Sequence, residues 1–309
     1  MIDSKDFVLA LDFGGTKIAL AAADRAANPI RQLRIETRRD DGAEKVIARA
    51  LAAARSLVDE TVGSGRRLVA VAAATFGVPL ADRILLAPNV PGWGSLALER
   101  RLRDGFGVAS VAVCNDVRAA ATAELRRGAL RGSDVALYLS LGTGLSMGLV
   151  VGGRVIDGAH GAAGEIGYSL RRPGEPGVAA GRAPLEEQVS GRAIGERASV
   201  LLGQPLTTAE VFAAPRATAL GELLATTLDE LALHVANLAI ALDPSRIVVG
   251  GGLMEMADVI LPRLRSQLAQ AVPFPPEVLP ARFIHDGPLH GAVALAWDCL
   301  PAPALAKVG

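Results

Sequence analysis

A chain of 309 residues exceeds one ordinary domain and suits two modest ones, each with its own core and with a cleft expected between them. Half of the side chains are hydrophobic and only 4% are aromatic; the apolar mass is mostly Ala, Val and Leu, which suits helices packed closely on sheets. The 32 basic and 32 acidic side chains cancel without a block of like charge, which argues against a nucleic-acid binder and for a small partner.

Met1 to Asp6 carries Asp3 and Asp6 ahead of a short apolar run, the wrong charge and length for a secretory signal. The longest apolar stretch, residues 68–81, is broken by Gly77 and Pro79 and is too short for a bilayer span, so a cytoplasmic location with no membrane partner is expected. Cys114 and Cys299 are the only cysteines and form no CxxC pair, which leaves no basis for a disulfide framework or a cysteine-rich zinc site.

In chain order, residues 7–12, 18–23 and 33–37 read as three short strands, the first two joined through Gly14-Gly15-Thr16 as a hairpin. Residues 42–62 carry Val46, Ile47, Ala50, Leu51, Ala54, Leu57 and Val58 at helical spacing, and residues 68–75 form a continuous apolar run typical of a buried strand. Residues 111–114 predict another strand, followed by a helix over 115–127. A second unit starts at residues 134–141, turns through Gly142-Thr143-Gly144 and returns along 146–151, repeating the strand, Gly/Thr turn, strand of the opening. Two related lobes facing each other are therefore expected. A long helix over 217–242 is closed by Asp243-Pro244; a strand over 246–249 runs into Gly250-Gly251-Gly252; helices follow over 257–271 and 291–300. The fold class is α/β. The Pro/Ala tail from Pro301, residues 301–309, is expected to be disordered.

The chemistry concentrates in the turns. Gly14-Gly15-Thr16-Lys17 lets backbone N–H groups approach an anion, although a bare hairpin turn explains it equally well. Gly142-Thr143-Gly144 and Gly250-Gly251-Gly252 are further glycine turns at strand ends, and three such turns can converge on one nucleotide. Asp12 would then hold Mg²⁺, directly or through water. No GxxxxGK[ST] occurs, and Gly142 to Gly148 has the wrong spacing for GxGxxG, so the P-loop and dinucleotide readings fall.

Together these residues resemble the ROK family of sugar kinases and repressors, within the actin, sugar kinase and heat-shock ATPase superfamily. Asp12-Phe-Gly-Gly-Thr-Lys17 is similar to its first phosphate motif, Leu141-Gly-Thr-Gly144 to its second, Pro244-Ser-Arg-Ile-Val-Val-Gly-Gly-Gly252 to its adenosine motif, and Asn115-Asp116 to its catalytic pair. The resemblance covers nearly the whole chain. It implies two ribonuclease-H-like lobes of the actin-like ATPase fold with a central cleft. Residues 1–116 would form a small lobe completed by the C-terminal helix 291–300, and residues 117–290 a large lobe with nucleotide-binding and dimerisation elements.

It further implies ATP and Mg²⁺ as cofactors, a small sugar or polyol as partner, a homodimer, and Asp116 as the general base that accepts a proton from the sugar hydroxyl. The alternative for Asn115 or Asp116 is simply to cap the following helix. Gly77, Asn89, Asn115, Glu165 and Glu186 match positions near or at the family's sugar contacts, and either glutamate has the alternative of a solvated surface acid.

Departures from the pattern matter as much. Gly167-Tyr168 stands where the family usually has Gly-His, and that His commonly ligates zinc with three cysteines. Residues 169–183 contain no Cys or His, so zinc is not expected and the loop must be held otherwise. Tyr168 either donates a hydroxyl in place of the His or packs its ring in the core. Ser146-Met147 replaces two glycines of the second phosphate turn, and Leu80 replaces a glycine near Gly77. His160, His234, His285 and His290 are dispersed, and His234 reads as structural.

The family's repressors carry a winged helix-turn-helix ahead of the first phosphate motif; eleven residues precede Asp12 here, so DNA binding in cis is not expected. The expected function is ATP-dependent phosphorylation of a hexose or hexose-like polyol. The alternatives are an N-acetylhexosamine, fructose or a cyclitol as acceptor, polyphosphate as donor, and a sugar sensor without catalysis.

Overall fold

In the computed structural model, which describes residues 3–87 and 89–301, side-chain alternation along the first strand sets the layering. β1 (Asp6–Phe13) points Phe7, Leu9, Leu11 and Phe13 to one face and Val8 and Ala10 to the other, and both sets are buried. A strand buried on both faces belongs in the middle of a sheet. β2 (Lys17–Ala23) and β3 (Pro29–Glu36) continue from it as an antiparallel meander, whereas β4 (Arg67–Thr75) and β7 (Ser110–Asn115) add on its other side in parallel. The sheet order is β3-β2-β1-β4-β7.

Between β4 and β7 lie the short hairpin β5 (Val78–Pro79) and β6 (Ile84–Leu85) and the helix α2 (Leu98–Phe106). α1 (Ala43–Gly63), through Val46, Ile47, Ala50 and Leu57, covers the Phe7 face with Trp93 and Leu102. α9 (Gly287–Asp298), at the end of the chain, covers the opposite face with Leu289, Ala292, Val293 and Ala296. It begins at Gly287, four residues before the predicted start, because Pro288 suits the first helical turn. α3 (Asp116–Arg127) follows β7 directly.

The second unit repeats this plan. β8 (Ala136–Leu141), β9 (Leu145–Val151) and β10 (Arg154–Val155) form the meander, and β11 (Arg246–Gly250) and β12 (Glu277–Pro280) add in parallel, giving β10-β9-β8-β11-β12. Its helices are α4 (Glu186–Val189), α5 (Gly191–Leu202), α6 (Thr208–Ala213), α7 (Ala219–Leu242) and α8 (Ala257–Ala271). α7 is long and apolar enough to cross a membrane by length and composition. Its Leu224, Leu228, Leu231, Val235 and Ala239 nevertheless lie in the core of this unit with Leu264 and Leu268 of α8. Asp243, in a left-handed conformation, ends it ahead of Pro244.

The chain divides into compact units between Ala123 and Glu124 and again between His285 and Asp286. The first unit therefore takes in Asn115-Asp116, the start of α3, and α9. Glu124, fully buried, accepts the Ala129 N–H at 2.6 Å and the Phe283 N–H at 2.7 Å, tying together the two segments at which the chain enters and leaves the second unit. Of the tail expected to be disordered, residues 302–309 lie outside the described residues.

Candidate active site

In the first unit the parallel register aligns Phe13, Thr75 and Asn115 across the carboxyl ends of β1, β4 and β7. Ligands of such sheets bind at those ends. Asp12, one residue before Phe13, and Asp116, one after Asn115, are both held there. Asn115 is buried; its Oδ1 accepts the N–H groups of Val117 (2.8 Å) and Arg118 (3.3 Å) and its Nδ2 donates to the Gly77 carbonyl at 3.0 Å. It thus caps α3 and fixes the Gly77 loop at once. Gly77 has φ of 80°, and a Cβ there would come within 2.5 Å of the Leu85 carbonyl oxygen, so no other residue fits.

The Asp116 carboxylate accepts the Val117 N–H at 2.9 Å, yet its pKa is pushed up to about 6, first by desolvation. Asp12 is pushed up to about 7, by desolvation, then by the charge of Asp116, then by that of Asp286, against a lowering by Lys17. Both carboxylate oxygens of Asp286 accept from Arg34 Nη2 at 2.7 Å. The sequence reading missed Asp286; the available signal was an Asp immediately before the Gly-Pro of a helix start.

The first glycine turn is closed by Gly14 N–H to the Lys17 carbonyl (3.1 Å) and held by the Thr37 hydroxyl on the Gly14 carbonyl (2.6 Å). Gly15, Thr16 and Lys17 complete it, with Thr16 and Lys17 exposed. Asn89 is exposed in the loop after β6, which Trp93 anchors: its indole, buried beside Phe13 and Phe76, donates to the Thr75 hydroxyl at 3.0 Å.

The second unit brings together the other predicted residues. Gly142 N–H closes the Gly142-Thr143-Gly144 turn on the Gly144 carbonyl at 3.1 Å. The Gly250-Gly251-Gly252 turn lies against it, since a Cβ on Gly251 would be 2.3 Å from the Leu141 carbonyl oxygen and one on Gly142 would be 3.7 Å from the Gly252 nitrogen. Ser146, the departure from the family turn, donates its hydroxyl to the Gly164 carbonyl at 3.0 Å, and Met147 N–H bonds the same oxygen at 2.8 Å. Gly164, with φ of 93°, would place a Cβ 1.9 Å from the Met147 carbonyl oxygen, so this close approach sets the position of Glu165.

Tyr168 is half-buried outside the hydrophobic core, its phenol pushed up by burial and then by the charges of Glu165 and Glu186. It stays protonated at neutral pH and is a hydroxyl donor beside two carboxylates. Residues 169–183 are held by ion pairs: Arg171 bonds Glu175 at 3.1 Å and also Glu230 of α7, and Arg182 bonds Glu187. Among the described residues no group of three or more His, Cys, Asp or Glu side chains forms a metal site.

Two five-stranded sheets of identical order, each with its glycine turn after the first strand, define the actin-like ATPase fold. The ROK family profile matches residues 8–298, and the chain belongs to the ROK family.

It is 34% identical over 302 residues to the bifunctional enzyme NanE/NanK of Brucella melitensis, covering 94% of this chain and 54% of that protein. The chain thus spans about half the length of that curated relative. It is 32% identical to an N-acetylmannosamine kinase of Citrobacter koseri, covering 93% of this chain and 98% of that one. The crystal structure of a ROK hexokinase from Thermus thermophilus superposes with a TM-score of 0.78 at 31% identity, covering 94% of this chain and 98% of the other.

Proposed function

We propose that this chain is an ATP-dependent kinase that phosphorylates a hydroxyl of a hexose or hexose-like polyol. The carrying observation is the pair Asp12 and Asp116 at the carboxyl ends of β1 and β7, with carboxyl groups raised to about 7 and about 6. A base poised near neutrality is matched to taking a proton from an attacking hydroxyl. Asp116, held by the Val117 N–H on one oxygen, accepts the acceptor's proton with the other as the substrate oxygen bonds to the γ-phosphorus and ADP departs.

Asp12 suits a divalent cation because a carboxylate whose ionisation is opposed by two neighbouring carboxylates gains from a positive charge. Mg²⁺ bound there with the nucleotide would neutralise phosphate charge. The turns at Gly14 to Lys17 and Gly142 to Gly144 take the phosphates, and Gly250 to Gly252 the adenosine side. Asn89, Glu165, Tyr168 and Glu186 bind the acceptor; Asn115 orders the loop at Gly77 through its amide.

An N-acetylhexosamine is the second acceptor reading, favoured by the 32% identity to the Citrobacter koseri enzyme. The test is ADP release with ATP and with polyphosphate, each crossed with glucose, N-acetylmannosamine, fructose and a cyclitol. Turnover of one sugar with ATP is expected; sugar binding without turnover for any pair would make the chain a sensor and overturn the proposal.

A further inference from the structure

Glu186 opens the short helix α4, but its side chain leaves that helix for the β8–β9 turn. Its Oε2 accepts the Leu145 N–H at 2.9 Å, the first backbone donor after Gly144. A Cβ on Gly144 would sit 2.6 Å from the same oxygen, so the turn is shaped around this carboxylate. On its other side, a Cβ on Gly167 would lie 3.1 Å from the Glu186 Cβ, and the Gly167 carbonyl accepts the Leu185 N–H at 3.1 Å. One side chain is therefore wedged between residues 142–145 and the segment that carries Glu165 and Tyr168. Oε1 is approached by Arg192 Nη2 at 3.4 Å, with the Glu186 side chain 24% and the Arg192 side chain 50% exposed.

We infer that Glu186 is a positioning residue for the nucleotide's phosphates as well as an acceptor ligand, and that Arg192 steadies it. This rests on the reading of Gly142 to Gly144 as a phosphate turn. With Oε2 committed to Leu145 N–H, this carboxylate helps to set the distance between the phosphate turn and the Glu165–Tyr168 segment, beside the bonds of Ser146 and Met147 to the Gly164 carbonyl. Removing it frees a backbone donor at the turn and leaves the space between Gly144 and Gly167 unfilled. Such a residue couples nucleotide affinity to acceptor affinity; a pure acceptor ligand would not.

The test measures binding of a non-hydrolysable ATP analogue by calorimetry, acceptor KM, and amide exchange of residues 142–146, in wild type, Glu186→Ala, Glu186→Gln, Arg192→Ala and Glu165→Ala. Glu186→Ala is expected to weaken the analogue about fivefold or more and to speed exchange at Leu145, the loss of one partly buried hydrogen bond. Glu186→Gln, whose amide oxygen still accepts from Leu145, restores analogue binding while acceptor KM stays raised. Arg192→Ala gives a smaller effect in the same direction, and serves if Glu186→Ala does not fold. Glu165→Ala moves acceptor KM alone. Analogue affinity unchanged in Glu186→Ala and Arg192→Ala, with wild type binding normally, overturns the inference and leaves the proposed function standing. A wild-type protein that binds no analogue overturns the reading of the turn, and the inference with it.

Discussion

The proposed function asks Asp116 to be charged enough to take a proton and buried enough to be a strong base. Its carboxyl at about 6, raised chiefly by desolvation, meets both demands near neutral pH. Asp116→Asn keeps the shape and the site of the Val117 contact but removes the base, so kcat should fall about 100-fold or more, with binding of the ATP analogue retained. Near-normal kcat in that variant would show that the base lies elsewhere.

On the proposed function Asp12 must also be ionised to hold a cation, and the pair together predicts that kcat/KM declines as pH drops through about 7 towards 6. A flat profile from pH 8 to 5 would contradict both assignments. Glu165→Ala should raise acceptor KM by a factor equivalent to about 1 to 3 kcal/mol, since substrate hydroxyls lose their partner. Tyr168→Phe should weaken the acceptor with ATP affinity unchanged. An altered melting temperature without a kinetic change would return Tyr168 to a packing role.

At the scale of elements, the loop over residues 169–183 is the instructive case. Its lack of Cys and His is plain from the sequence, but what replaces a metal is not. Arg171 and Glu175 are only four residues apart, but Glu230 lies 59 residues beyond Arg171 and meets it only because α7 brings it to the loop. Arg171→Ala removes the shared counterion of two partly buried carboxylates, leaving Glu175 only the exposed Arg172 at 3.9 Å, which costs more than losing an exposed pair. Acceptor KM should rise and the melting temperature fall. A chelator should abolish turnover yet leave the melting temperature of the apo protein unchanged; a large drop on chelation would reveal a metal holding the loop.

The same physics separates what the sequence makes legible from what it hides. Glycine turns after apolar runs are local signals, so β1, β2, β8, β9 and the α1 and α7 periodicities are found to within a few residues. α5 is hidden because Gly191 and Gly195 interrupt the apolar pattern, and the close contact of Gly191 with the Gly142 carbonyl explains the first of them; α6, six residues long, is too short to show a helical period. The contacts of Glu186 and Asp286 join residues 41 and 252 apart in the chain, and no spacing announces them.

At the scale of the molecule, stability follows from where charge is stored. Asp12 and Asp116 have folded-state carboxyls above the ordinary value of 3.8, so each contributes stability at low pH that is lost as pH rises through about 6 to 7. Asp12→Asn is released from that loss. Its gain in melting temperature over wild type should be larger at pH 8 than at pH 5, and an equal gain at both would mean that Asp12 is not the stored charge. Glu124→Ala should destabilise by about 2 kcal/mol or more, because two partly buried N–H groups lose their buried acceptor.

The bonds from Glu124 to Ala129 and Phe283 have a consequence for modular engineering. Residues 124–285 leave and rejoin the rest of the chain at two points brought together by one carboxylate, the geometry of a cassette inserted into a host. Cut out at those points, the cassette carries its own sheet, its own core and the bond that joins its ends. The host, in contrast, is left as two strings that a short Gly/Ser bridge from Ala123 to Asp286 would have to rejoin. The excised 124–285 polypeptide is expected to melt cooperatively, and Glu124→Ala should lower its melting temperature more than it lowers that of the full chain, where the host also restrains the two ends.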